Sequence, residues 1–248
     1  MTAASSQTVL ILGAASDIGL ALARAYARGG ARLILAARDA RRLETDAADL
    51  RLRSQAEVRL VDFDVLDIAG AGAFLDGLGD LPDVAVSMVG LLGDQAASAT
   101  DPLTADLVMR SNYNGPAAIL GELAQRMEKR GSGILIGVSS VAGDRGRATN
   151  YVYGSAKAGF TAFLSGLRQR LQGTGVHVIT VKPGFVDTRM TAGMPLPKPL
   201  TAQPAEVADA ILRAQAKGRD VVYVRPVWLL VMTIIRLLPE AVFKRTRI

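Results

Sequence analysis

Short apolar runs alternate along the chain with longer segments in which apolar and polar residues recur at helical spacing. The runs VLILG, ARLILAAR, VRLVDFDV, VAVSMVG, GILIGVSS, VHVITVKPG and DVVYVRP predict strands. The segments between them predict helices, among them Asp17 to Arg28, Leu103 to Arg130 and Tyr153 to Gln172. Strands that alternate with helices form a parallel sheet covered on both faces. We therefore expect an α/β fold: a doubly wound, Rossmann-type sheet of about seven strands that binds its ligand at their carboxyl ends.

The chain is expected to form one main domain. Its 248 residues suit a single large α/β unit. We place that unit at residues 1–225 and treat residues 226–248 as a separate hydrophobic and basic C-terminal segment. The proline-rich stretch 195–204 is interpreted as a mobile loop rather than a domain boundary.

Composition narrows the classes of function. The chain has no cysteine and one histidine, which excludes disulfides and argues against a metal site. The net charge is +6, but its basic residues form no stripe interleaved with aromatics, so nucleic acid is not expected as a partner. The first eight residues form a short polar stretch that does not resemble a signal peptide. This predicts a cytoplasmic location.

A glycine-rich loop, LGAASDIG, follows the first predicted strand. Gly13 allows a sharp turn, and Gly19 allows the next helix to approach the sheet and a ligand. The N-terminus of that helix presents free N–H groups and a positive dipole end, which suits a pyrophosphate. Ser16 or Asp17 is also a candidate helix N-cap.

Tyr153 and Lys157 lie four residues apart in NYVYGSAKAG, so they share one face of a helix. An ammonium group beside a phenol favours the phenolate, and we expect Lys157 to lower the pKa of Tyr153 from its reference value of about 10. Tyr151 is a competing phenol without a lysine four residues later. By itself this spacing also occurs on ordinary exposed helices.

Four motifs in fixed order give the pattern its meaning: LGAASDIG, RSNYNG, GVSSVAG with NYVYGSAKAG, and a Pro-Gly pair after VHVITV. With them the chain resembles the short-chain dehydrogenase/reductase family from about Thr8 to Thr188. The resemblance implies an NAD(P)-dependent oxidoreductase. It implies a catalytic set of Asn112, Ser140, Tyr153 and Lys157, with Tyr153 as general acid and Ser140 on the substrate oxygen.

The same resemblance implies a cofactor-binding set. Its members are Gly13, Ser16, Asp17, Ile18, Gly19, Arg38, Asp64, Val65, Gly90, Tyr153, Lys157, Pro183, Gly184, Val186 and Thr188. Asp17 replaces the usual middle glycine, and SMVG replaces the usual N-N-A-G motif after the fourth strand. A helix cap is the alternative role for Asp64, and a buried polar residue that ties down a helix is the alternative for Asn112.

Two positions at the end of the second strand concern the choice of cofactor. Ala37 replaces the acid that would accept hydrogen bonds from a ribose, and Arg38 matches a 2′-phosphate in charge and geometry. NADP(H) is therefore favoured, with NAD(H) as the alternative. The adjoining Asp39 weakens this preference, and Arg38 as a plain solvent-facing residue is the other interpretation.

The substrate is the least determined feature. Arg145 and Arg147 precede Tyr153 and are candidates to hold a substrate phosphate, or are surface arginines. The C-terminal segment combines an apolar run, Trp228 and the basic residues Lys244, Arg245 and Arg247, which suits an interfacial membrane contact. The alternative is a helix packed against the core or a second subunit.

GLLGD, SNYNG, YVYGSAKAG and the hydrophobic, basic ending resemble the decaprenylphosphoryl-2-keto-ribose reductase branch of the family. That resemblance implies reduction of a keto-pentose on a polyprenyl phosphate, in cell envelope biosynthesis, with the enzyme peripheral at the inner membrane surface. The alternatives are a reductase or dehydrogenase of another soluble or hydrophobic small molecule, and a catalytically silent nucleotide-binding protein. The family resemblance also implies a homodimer or homotetramer.

Overall fold

A computed structural model describes residues 7–246. The polar N-terminal residues 1–6, interpreted above as lacking a signal peptide, lie outside the described residues, and so does Arg247.

A seven-stranded parallel sheet forms the centre of the molecule. The strands of the described chain are β1 Thr8–Leu12, β2 Arg32–Ala37, β3 Val58–Asp62, β4 Val84–Ser87, β5 Gly133–Val138, β6 Val176–Lys182, β7 Phe185–Val186, β8 Thr201–Ala202 and β9 Val221–Tyr223. The sheet runs in the order β3-β2-β1-β4-β5-β6-β9, and β7 pairs with β8 separately. All seven predicted strands lie in the main sheet, which confirms the predicted fold.

Helices cover both faces of the sheet. They are α1 Asp17–Arg28, α2 Glu44–Ser54, α3 Ala71–Asp76, α4 Gln95–Thr100, α5 Pro102–Met109, α6 Gly115–Arg130, α7 Tyr151–Arg170, α8 Pro204–Ala216, α9 Val227–Leu237 and α10 Glu240–Phe243. A π-helical turn, Arg110–Asn114, joins α5 to α6. The helical run predicted from Leu103 to Arg130 is therefore continuous but contains this bulge.

Side-chain alternation on β1 explains the two layers of core. Val9 and Ile11 point into one cluster, which includes buried residues of α1 and α8. Leu10 and Leu12 point into the other, which includes buried residues of α6 and α7. Because successive side chains of a strand face opposite sides, a strand buried on both faces is apolar throughout.

The direction of chain winding reverses at β1. This strand pairs in parallel with β2 on one side and with β4 on the other. In doubly wound sheets a crevice opens beyond the carboxyl ends of the two strands at such a switch point. Gly13 follows β1 and Gly90 follows β4, so two of the predicted site residues lie at this crevice.

The C-terminal segment packs on the body of the protein. Trp228, Met232 and Ile235 form one buried stripe of α9 and join Val141 in a third apolar cluster. The stretch 195–204 is more ordered than the predicted loop, since it contains a 3₁₀ turn, strand β8 and the first residue of α8. Pairing of β8 with β7 fixes this stretch beside the crevice.

Candidate active site

The glycine loop turns tightly between β1 and α1. Gly13 has a φ of +85°, and its N–H donates to Ala36 O at 2.9 Å. A Cβ on Gly19 would lie 2.7 Å from Ala14 O, which is closer than real contacts allow. Both positions therefore require glycine, and the helix begins close against the loop.

Ser16 is the N-cap of α1. Its Oγ accepts a hydrogen bond from Gly19 N at 3.0 Å and donates to Gly13 O at 2.9 Å. Asp17 faces another element instead, because its carboxylate accepts from Arg189 N at 2.7 Å and from Arg189 Nε at 2.8 Å. The acid that replaces a glycine of the family pattern is thus paired with an arginine that the sequence did not single out.

The residues predicted to meet the adenosine end follow β2 and β3. Arg38 is exposed, and within residues 7–246 its side chain has no hydrogen-bond or ion-pair partner. Asp39 adopts a left-handed φ of 51° and pairs with Arg42 at 2.8 Å. Asp64 accepts from Leu66 N at 2.9 Å, which forms a local turn rather than a helix cap. Val65 is buried against Gly115 at the start of α6.

Asn112 lies fully buried in the π-helical turn. Its Oδ1 accepts from Leu91 N at 3.2 Å, and its Nδ2 donates to Leu91 O at 2.6 Å and to Val108 O at 2.8 Å. A Cβ on Gly90 would lie 3.0 Å from Asn112 Oδ1 and 3.5 Å from Lys157 Nζ. Gly90, Asn112 and Lys157 therefore meet at one point, and Asn112 fixes the segment after β4.

Two serines follow β5 and have different surroundings. Ser139 Oγ donates to Lys157 O at 3.0 Å and lies 2.7 Å from Thr161 Oγ1, so it joins β5 to α7. Ser140 Oγ accepts from Ala142 N at 3.1 Å and lines a cavity together with Tyr153. Both serines contribute to the lining of this cavity, but the Ser139 hydroxyl is bonded to α7, whereas the Ser140 hydroxyl forms a hydrogen bond with Tyr153.

Tyr153 and Lys157 lie one turn apart on α7, with Lys157 Nζ 5.8 Å from the centroid of the Tyr153 ring. Lys157 Nζ donates to Val138 O at 3.1 Å. Burial lowers the pKa of Lys157 to about 8. Burial also raises the pKa of Tyr153 to about 12, and a hydrogen bond with Ser140 opposes this only in part. The expectation that the pKa of Tyr153 is lowered is wrong, because desolvation of the phenolate is the largest effect on it.

A cavity of about 150 Å³ brings the predicted site residues together. Its lining contains Ile18, Gly90, Ser140, Arg147, Tyr153, Lys157, Pro183, Gly184, Val186 and Thr188 from the predicted sets. It also contains an apolar wall that the sequence did not predict: Met88, Leu92, Phe185, Met190, Met194 and Trp228. These side chains come from separate segments, and each alone is an ordinary apolar residue, so no local pattern marks them.

Arg145, which was predicted to hold a substrate phosphate, does not line this cavity. Its guanidinium donates to Ile235 O and Leu238 O, both at 2.6 Å, and pairs with Glu240 at 2.9 Å. The same group stacks on Phe243 at 3.8 Å. This corrects the expectation for Arg145, since its donors already satisfy the carbonyls at the end of α9.

Trp228 also differs from its expected role at a membrane surface. The indole is 4% exposed, contacts Phe185 at a centroid distance of 5.5 Å and donates from Nε1 to Leu200 O at 3.1 Å. A partner for its N–H and apolar contacts on its rings make burial favourable. Trp228 therefore forms part of the cavity wall. The prediction that its side chain lies at a membrane surface is wrong. Lys244 and Arg245 remain exposed.

Residues 7–197 match the short-chain dehydrogenase family, and the chain belongs to it. It is an oxidoreductase of that family. An uncharacterised oxidoreductase of Mycobacterium tuberculosis is 43% identical over 243 residues and 96% of each chain. A further uncharacterised oxidoreductase, from Streptomyces coelicolor, is 40% identical over 244 residues, 96% of this chain and 95% of the relative.

Solved structures share the fold. A short-chain dehydrogenase from Sphingobium yanoikuyae in complex with NADPH has a TM-score of 0.80 at 24% identity, with 95% of this chain and 97% of that chain covered. A short-chain dehydrogenase from Burkholderia cenocepacia in complex with NADP has a TM-score of 0.83 at 23% identity, with 97% of each chain covered.

Among residues 7–246, no helix is long and apolar enough to cross a membrane.

Proposed function

We propose that this protein reduces a ketone to a secondary alcohol with a dihydronicotinamide cofactor. The observation that carries the proposal is the convergence of Ser140, Tyr153 and Lys157 on one cavity, with Asn112 packed behind them, at the crevice beyond β1 and β4. A hydroxyl, a phenol and a lysine in that arrangement supply hydrogen-bond donors and a proton to a carbonyl oxygen.

The crevice fits a dinucleotide. Gly13 and Gly19 allow the loop after β1 to pack tightly against the start of α1 and the segment after β4, because a Cβ at either position would contact backbone atoms there. The N-terminus of α1 offers a positive dipole end to a pyrophosphate. Pairing with Arg189 neutralises Asp17, the acid that would oppose that phosphate. We propose that the cofactor-binding set given above holds the dinucleotide. When bound, the cofactor supplies a hydride to the substrate carbonyl carbon.

Arg38 favours NADP(H) within this proposal. It is exposed after β2, where a guanidinium suits a 2′-phosphate and where a carboxylate would oppose it. The NADPH and NADP complexes of the two solved family members support the same choice. NAD(H) is the alternative cofactor.

The roles of the side chains follow from their surroundings. Tyr153 stays protonated at neutral pH because burial raises the pKa of Tyr153 to about 12, so it is suited to give a proton to the carbonyl oxygen. Ser140 holds that oxygen by a hydrogen bond. Asn112 holds a water, and Lys157 passes protons from that water back to Tyr153. The carbonyl gains a hydride at carbon and a proton at oxygen, and the product is the alcohol.

For the substrate, we propose an amphipathic ketone, and within that class a keto-pentose carried on a polyprenyl phosphate. The apolar wall of the cavity suits a lipid-linked group. On α9, Leu229, Leu230, Ile234 and Leu237 are exposed, and Arg236, Lys244 and Arg245 are exposed nearby. An apolar helix face with cations near it suits peripheral contact with an anionic membrane. A soluble ketone is the second candidate, since the fold by itself does not select a substrate.

We propose a homodimer or homotetramer for the assembly. Leu103 and Leu107 on α5, Tyr113 in the π-helical turn and Tyr151 at the start of α7 are exposed and apolar or aromatic. Closed symmetric assemblies are the commonest oligomers, and such a face suits one. Light scattering at micromolar concentration tests the proposal, and a monomer mass would contradict it.

The decisive test of function is Tyr153→Phe, with Tyr151→Phe as the matched control. Tyr153→Phe should remove nearly all NADPH-dependent ketone reduction while NADPH still binds, because only the proton donor is lost. Tyr151→Phe should leave turnover near the wild-type rate. Turnover that persists in Tyr153→Phe would refute the assignment, and a wild-type protein that binds NADPH but reduces no ketone in a broad panel would favour a silent nucleotide-binding protein.

A further inference from the structure

Arg147 is a partly buried cation that lines the active-site cavity. Its Nε is buried without a hydrogen-bond partner, and within residues 7–246 its guanidinium takes part in no ion pair. Burial lowers the pKa of Arg147, and no charge raises it in compensation. A partly buried cation without a partner is unfavourable unless a ligand pairs with it.

Asn150, three residues later, is also incompletely bonded. It is the residue before α7, but its side chain does not cap the helix, and its Oδ1 is buried without a partner. Gln95 contributes a third such atom, Nε2, and is held at the first turn of α7 because its Oε1 accepts from Val152 N at 3.1 Å. Three buried atoms of the described chain that lack partners therefore lie around the start of α7.

The charge at this corner is positive. The carboxylate nearest in sequence, Asp144, is already used: it pairs with Lys182 and accepts from Tyr223 Oη at 2.7 Å. The N-terminus of the 20-residue helix α7 adds a partial positive charge beside Arg147. An anion bound here would interact favourably with both Arg147 and the N-terminus of α7.

We propose that Arg147 is a specificity-determining residue that binds an anionic oxygen group of the substrate, a carboxylate or a phosphate, while Asn150 Oδ1 accepts a hydrogen bond from a substrate hydroxyl. The inference rests on the proposed ketone reduction. Arg147 belongs to the loop that carries Ser140, between β5 and α7, whereas the nucleotide loop follows β1. Arg147 is therefore proposed to bind an anionic group of the substrate and not of the cofactor. The substrate class is a hydroxylated ketone with an anionic substituent.

The test uses matched pairs of ketones: D-ribulose with D-ribulose 5-phosphate, and ethyl acetoacetate with acetoacetate. The wild-type protein should prefer the anionic member of at least one pair, and the favoured pair distinguishes phosphate from carboxylate. Arg147→Gln should raise the ratio of KM for that anionic ketone to KM for its neutral partner about tenfold or more. Arg147→Lys should recover part of the preference, because it keeps the charge but not the planar fork.

Binding is also measured without turnover. Trp228 is the only tryptophan of the chain and lines the same cavity, so its fluorescence reports occupancy. Titration with inorganic phosphate and with acetate, in the presence of NADP, should give binding to the wild type that Arg147→Gln weakens about tenfold. Arg32→Gln is the matched control, because Arg32 is exposed at the opposite, amino end of β2.

The outcomes separate this inference from the proposed function. If ketones are reduced but Arg147→Gln changes neither the KM ratio nor anion binding, Arg147 has no such role and the reductase assignment stands. If no ketone is reduced, the reductase assignment fails, and the fluorescence titration still decides whether Arg147 binds an anion. Should Arg147→Gln not fold, Asn150→Asp replaces it: the added carboxylate should repel the anion, and unchanged anion binding would overturn the inference.

Discussion

The indole ring of Trp228 lies directly on the backbone of Gly184, and a methyl group on Gly184 would overlap the ring. Gly184 follows β6 at the carboxyl edge of the sheet, and Trp228 is the second residue of α9. The contact makes α9 a wall of the active-site cavity rather than an appendage. The same helix therefore has one stripe on the cavity side and an apolar stripe exposed to the surroundings.

Loss of this wall should damage the site as well as the fold. We expect Trp228→Ala to lower the free energy of unfolding by about 3–5 kcal/mol, because it leaves a large cavity against Phe185. It should also reduce turnover of a small soluble ketone. Denaturant unfolding and steady-state kinetics measure the two effects.

The control is Leu230→Gln, which changes only the exposed stripe of α9. It should alter neither the free energy of unfolding nor turnover of the soluble ketone, while reducing co-sedimentation with anionic liposomes. Equal stability and turnover after truncation before Pro226 would contradict the role of α9 as a wall.

The pairing of Asp17 with Arg189 should control cofactor affinity. Arg189→Gln leaves a carboxylate unneutralised beside the pyrophosphate position, so the Kd for NADPH should rise about tenfold. Asp17→Gly in the same chain should restore most of the affinity, because the acid is then absent. Quenching of protein fluorescence or calorimetry gives the four Kd values of this double-mutant cycle. Additive effects of the two changes would show that the ion pair does not act at the nucleotide loop.

Burial of the charged Lys157 side chain should lower the free energy of unfolding. Its pKa falls from 10.5 to about 8 by burial, so the charged form costs about 3 kcal/mol at neutral pH. Between pH 8 and 10.5 the unfolded chain binds more protons than the folded chain at this residue, and its contribution to stability therefore increases with pH. We expect Lys157→Met to abolish turnover yet raise the free energy of unfolding at neutral pH by about 1–3 kcal/mol.

The measurement for Lys157 is the difference in unfolding free energy between wild type and Lys157→Met as a function of pH, without cofactor. That difference should shrink as pH rises from about 8 toward 10, since the wild-type lysine loses its charge in this window. A variant that is less stable than the wild type at every pH would show that the hydrogen bond from Lys157 to Val138 outweighs the cost of burial.

The choice of nicotinamide cofactor should depend on Arg38. Arg38→Asp places a carboxylate after β2, which repels a 2′-phosphate and accepts a hydrogen bond from a ribose hydroxyl. We expect the ratio of kcat/KM for NADPH to that for NADH to fall about a hundredfold. Arg41→Asp, on the adjacent turn, is the control for a general change of charge. A wild-type enzyme that already prefers NADH would show that Arg38 does not bind the 2′-phosphate of the cofactor.

Local patterns were sufficient to predict the strands of the main sheet. The alternation of short apolar runs with helical segments predicted all seven strands of the main sheet, because burial on both faces requires near-continuous apolar sequence. The requirement for glycine at Gly13 and Gly19 was also visible, since backbone conformation and close helix approach are properties of a few consecutive residues. The spacing of Tyr153 and Lys157 fixed their common helix face for the same reason.

What the sequence by itself determined was therefore the set of elements and the local geometry of the site. The tertiary structure alone decided which distant groups meet: Asp17 with Arg189, 172 residues later, and Arg145 with carbonyls at the end of α9, about 90 residues later. It also decided that burial raises the pKa of Tyr153 and that Trp228 faces the cavity. Partners far apart along the chain, and the removal of water around a charge, depend on how the elements pack, and no window of neighbouring residues contains that information.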